Sequence, residues 1–101
     1  MLLANVAKNV VLDISNTIIN KLGAPEEIHH IIVEGVVHGI ELGGAEMGGN
    51  EWTIYYLAAI GHPEFDGFKE AFIENFVSSF IAAVVVQQDQ MGFTQNGVGI
   101  A

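Results

Sequence analysis

Polar side chains in the first half of this chain return every three or four residues, and the sets they form are narrow. Asn5, Asn9, Asp13, Asn16 and Asn20 fall within roughly 80° of arc when wound at about 100° per residue. Glu27, His30, Glu34, His38 and Glu41 repeat the pattern over a second segment, again within roughly 80°. Such a period belongs to helices, whereas a strand would alternate. The stripes therefore predict an all-α fold. Their narrowness adds a demand: most of each helix's circumference is apolar and must be covered.

Few charges are on hand to do the covering. Only 15% of the 101 residues are charged, against about 25% in an ordinary domain, and the mean hydropathy is +0.42. Some apolar surface is therefore expected to meet a partner or lipid. The net charge is −9, from twelve acidic and three basic residues. Lys8, Lys21 and Lys69 are scattered and there is no Arg, so the clustered cations that displace counterions from a nucleic-acid backbone are missing. Nucleic acid is excluded as a partner. The absence of Cys excludes disulfides, thiolate catalysis and Cys-ligated zinc. Met1 to Leu12 is apolar but has no basic n-region, so no signal peptide is expected. The uncharged run Asn75 to Gln88 falls short of the ~20 residues a spanning helix needs.

Along the chain, Leu2 to Leu22 reads as a first helix, closed by Gly23 with Pro25 just beyond. A strand over Val10 to Ile14 is the lesser alternative. Pro25 to Leu42 reads as a second helix, with Pro25, Glu26 and Glu27 suited to its first turn. Gly35, Gly39 and Gly43 recur on its far side at four-residue spacing. Each Gly inside a helix costs about 1 kcal/mol relative to Ala, so the series predicts a neighbour whose backbone comes too close for a Cβ. Gly43 to Gly49 is expected to be a Gly-rich loop. Asn50 then caps a short helix, Glu51 to Ile60, although Trp52 to Leu57 also has strand propensity. The last helix is expected from about Phe68 to Gln88, with Asp66 as N-cap. Phe68, Phe72, Phe76 and Phe80 form an i, i+4 ridge along it, and Ser78 with Ala82 repeats the small-residue step. The architecture expected is a small helical hairpin or bundle of three to four helices: a helical domain over 1–89 and an extended, flexible C-terminal arm over 90–101.

Chemistry has one candidate. Glu27, His30, Glu34, His38 and Glu41 place carboxylates and imidazoles at spacings that reach one ion, as bundle metal sites do. Glu27 to His30 is a Glu-x-x-His step, but no second copy exists, so a divalent-metal site would need Glu70, Glu74 or a symmetry mate. The plainer reading is a solvated helix face. His62, before Pro63, is placed to cap or ligate; His29 is expected to be a satisfied, sheltered imidazole. No nucleophile elbow accompanies Ser78 or Ser79, and the Gly-rich loop lacks the Lys-Ser/Thr pair of a phosphate loop. No catalytic residue and no cofactor are expected, and the chain is not read as an enzyme.

Taken together, the residues predict a self-assembling structural subunit of a coat, tube, filament or virion-like particle, whose partners are copies of itself or other subunits. Gly35, Gly39, Gly43, Ser78 and Ala82 are the expected helix-packing contacts. A membrane-associated protein pairing through small-xxx-small faces is the first alternative, and a Glu/His metal-binding bundle the second.

Overall fold

The computed structural model describes residues 2–100, with side chains described for residues 2–85. It is all-α: four helices, and no strand among the described residues. The helices are α1 (Leu3–Leu22), α2 (His29–Glu46), α3 (Glu51–Ala59) and α4 (Pro63–Ile100), with a 3-10 turn at Glu26–Ile28 before α2. The strand alternatives over Val10 to Ile14 and Trp52 to Leu57 both give way to helix.

Three of the four helices end in the same way. Gly23, Gly48 and Gly61 adopt positive φ values of 61°, 86° and 66°, a region that a Cβ disfavours. The reversal returns the next N–H to a carbonyl of the last turn: Ala24 to Ile19 (3.1 Å), Gly49 to Gly44 (3.0 Å) and His62 to Leu57 (2.9 Å). The starts of α3 and α4 are set by side chains. Asn50 Oδ1 accepts the Trp52 N–H at 2.9 Å, and Thr53 Oγ1 accepts the Asn50 N–H at 3.3 Å. This reciprocal cap resolves α3 in favour of helix. At α4, His62 Nδ1 accepts the Glu64 N–H at 3.0 Å, and Pro63 occupies the first helical position, where its missing N–H costs nothing. The helix therefore starts five residues before Phe68, and His62 rather than Asp66 is its cap. Its backbone continues to Ile100 through the stretch expected as an extended arm. The arm at 90–101 lies outside the residues whose side chains are described.

Rows at four-residue spacing build the core: Val10, Ile14 and Ile18 from α1, and Ile32, Val36 and Ile40 from α2. Ile54 and Tyr55 from α3 and Ile73 from α4 join them. Each such side chain contributes about 1.5–3 kcal/mol on burial. The fourth helix reaches this core mainly through its rings. A Cβ at Gly35 would stand 2.9 Å from the Phe76 ring. At Gly39 it would overlap Phe72, and at Gly43 it would overlap Phe68. Each of these three glycines is thus the socket for one Phe, and the pairs 35/76, 39/72 and 43/68 run antiparallel. The expected neighbour of the glycines is present, but it is a ring rather than a backbone.

This packing also explains why α2 outlasts its expected end at Leu42. Gly43 and Gly44 are buried helical residues, the first under Phe68 and the second against the Asn50 backbone. Only Met47 to Asn50 remain as loop.

Replacing Gly39 by Ala should test the socket. The gain in helix propensity is about 1 kcal/mol, but a methyl forced into the Phe72 ring costs about 1–3 kcal/mol. A lowered midpoint in urea or thermal unfolding is expected, with recovery when Phe72→Leu is added to empty the socket. A Gly39→Ala protein as stable as the parent would contradict the seam.

Candidate functional site

The Glu/His stripe sits on the solvent side of α2. Glu27, His30, Glu34, His38 and Glu41 are all exposed, because the opposite face of the same helix is taken by Ile32, Val36, Ile40 and the glycine sockets. Glu27 belongs to the 3-10 turn rather than to α2, so the stripe changes pitch at its first member. Among the described residues, no group of three or more His, Asp or Glu side chains converges tightly enough to hold a metal ion. Glu70 and Glu74, the acids that would complete a set, face elsewhere. They line an open groove of about 600 Å³ between α1 and α4, with Lys21, Asp66, Lys69, Ile73, Val77 and Ser78. There Lys69 Nζ reaches Asp13 Oδ2 at 2.7 Å, an exposed pair of the kind that contributes about 0–1 kcal/mol.

The remaining histidines are structural. His29 Nε2 lies 3.0 Å from the Ala24 carbonyl, so the half-buried ring ties the start of α2 to the end of the α1 turn. His62 closes α3 with its backbone N–H and opens α4 with its ring. Of the five expected helix-packing residues, Gly35, Gly39 and Gly43 meet within the chain through the Phe ridge. Ser78 and Ala82 do not join them and are exposed.

What the exposed surface does offer is apolar. Trp52, Tyr56 and Ile60 form an i, i+4 row on the outside of α3 and its C-cap, with Met47 exposed nearby in sequence. Trp52 also packs edge-on against Tyr55, ring centroids 5.4 Å apart. On α4, Ile81, Val84 and Val85 are 50%, 37% and 47% exposed. These residues lie about 27–33 Å along the helix from Pro63, so the two patches sit at opposite ends of the bundle. Neither patch was read as a site from the sequence, since exposure depends on which face of each helix the fold consumes. Among the described residues, no helix is long and apolar enough to cross a membrane.

Comparison with protein families, with curated proteins and with solved structures finds no match to this chain.

Two measurements check the local chemistry. His62→Ala should cost about 1 kcal/mol of stability, read as a lower unfolding midpoint, while His62→Asn or His62→Ser should retain most of it. Tyr55 is buried, and that burial, followed by the carboxylates of Glu51 and Glu41, raises its phenol above the ordinary tyrosine value. Because ionisation is harder in the folded chain, this group favours the fold below the unfolded tyrosine pKa of about 10. That contribution is lost as pH rises through the higher folded value. Phenolate absorbance should show a late step that disappears in Tyr55→Phe.

Proposed function

We propose that this chain is a self-assembling structural subunit, a component of a coat, tube, filament or particle, whose copies associate through apolar helix faces. One observation carries the reading: large apolar side chains stand exposed in two separate rows, on α3 and on α4, in a chain with few charges to solvate them. Leaving an aliphatic or aromatic side chain in water forfeits about 1.5–3 kcal/mol of burial. Repetition of one subunit brings a second apolar surface of the same kind to cover such a row. The polar stripes of α1 and α2 would then form the solvated outside of each subunit, and the −9 charge would hold assemblies apart.

Native mass spectrometry or light scattering at micromolar concentration tests this directly. An oligomer whose mass is a multiple of the chain's 10.8 kDa is expected. A monomer that persists across that range overturns the reading.

The α3 row favours one second reading. An exposed Trp, Tyr and Ile on one helix face suits the interface of a bilayer, although the acidic balance opposes anionic headgroups. Flotation with zwitterionic vesicles separates the two readings: assembly alone predicts none, and co-flotation lost in Trp52→Ser would favour the membrane.

A further inference from the structure

The Phe ridge of α4 outruns the groove built to receive it. Each socket pairs a residue of α4 with one of α2 in antiparallel register, 43 with 68, 39 with 72 and 35 with 76. The next step of that register falls at Ile31 and Phe80, and the one after at Glu27 and Val84. Ile31 is not a glycine, so the socket series stops there, and Glu27 precedes the start of α2 at His29. Wound at about 100° per residue, Phe80 and Val84 lie on the same side of α4 as the buried Ile73 and the socketed Phe76. This is a core-facing surface continued past the end of its core. Phe80 is half-buried, and Ile81, Val84 and Val85 are exposed beyond it.

The charge distribution says what covers this surface. Two molecules that each carry −9 repel wherever carboxylates meet. Ile31 and Leu42 are exposed among Glu27, Glu34, Glu41 and Glu46 of α2 and the turn before it, and Trp52 adjoins Glu51. By contrast, Asn75 to Gln88 contains no ionisable side chain, and it presents about four turns of helix, roughly 21 Å long. It is the longest uncharged run in the chain, and it can be laid against a copy of itself without opposing two negative charges.

On the basis of the self-assembly reading above, we infer that the occupant is the same segment of a second copy. Two α4 helices cross antiparallel about a two-fold axis near Ile81 and Val84, a contact in which one patch serves both subunits. The Phe80 and Val84 ridge of each copy lies beside the small flanking residues of the other, among them Ser79 and Ala83. Large-into-small packing inside the subunit is repeated between subunits. The α3 row is left free for a different contact.

The chain has no Cys, so a single introduced thiol reports on this contact without background. Full-length Ile81→Cys, Val84→Cys and Tyr56→Cys proteins are treated with a short bismaleimide. Covalent dimer is expected for at least one of the two α4 positions and not for Tyr56→Cys. In parallel, Ile81→Glu with Val84→Glu should weaken association at least ten-fold with unchanged helical circular dichroism, since both sites are exposed, while Tyr56→Glu leaves association as it was. If the paired glutamates disturb folding, the cross-linking pattern decides. Dimer formed through Tyr56→Cys alone, or association lost only in Tyr56→Glu, overturns the α4 seam while leaving self-assembly standing. A parent protein that is monomeric at the same concentrations removes both.

Discussion

The fit of three phenylalanine rings over three helical glycines is the interaction on which the rest of this structure depends. It places α4 on α2, because among the described residues α4 contributes only Ile73 to the buried core and meets α2 through its rings. It holds Gly43 and Gly44 in helix although their composition suggests loop, and so fixes where α2 ends and how short the turn to α3 becomes. The rings also brace one another, with centroids 5.7 and 5.9 Å apart along the ridge. Each glycine is costly to its own helix, at about 1 kcal/mol, and the cost is met by a ring that no Cβ-bearing position could admit. Local propensity and tertiary packing disagree here, and packing prevails.

Much of this was legible in the sequence, and the misses share a cause. The polar stripes gave helix and the solvent-facing side of α1 and α2, because a stripe is a property of one segment. The end of α1 at Gly23 was readable for the same reason. The partner of the glycines was not. Spacing alone does not say whether a four-step row of small residues meets another small row, such as Ser78 and Ala82, or a four-step row of large ones. Volume held the clue, since deleted side chains on α2 and bulky ones on α4 are complementary. The early start of α4 was missed because Asp66 is a commoner cap than His62, although Pro63 at the first helical position was the stronger signal. The two exposed apolar rows could not be read at all without knowing which faces the fold uses.

The Glu/His stripe shows how the same constraint bears on chemistry. Its residues have the right spacing for an ion, but spacing along one helix supplies at most one side of a coordination shell. A bundle site needs a second helix to bring its own acids inward. In this fold the inward side of α2 is already filled by isoleucines, valine and rings, and Glu70 and Glu74 turn toward α1 instead. The stripe is outside because the sockets are inside.

That arrangement also explains where contact between molecules is permitted. Carboxylates lie along the exposed face of α2 and on the start of α3, and a −9 chain has only Lys8, Lys21 and Lys69 to set against twelve acids. Burying unpaired carboxylates costs several kcal/mol per ion, so like-with-like association is confined to surface from which charge is missing. Packing inside the subunit decides which surfaces those are, because the residues that continue α4's inner face beyond α2 are apolar by descent from the core pattern and carry no charge to oppose a copy. A helix whose inward face runs on after its partner has ended is an unfinished core, and in the assembly we propose a second subunit bearing the same surface would complete it.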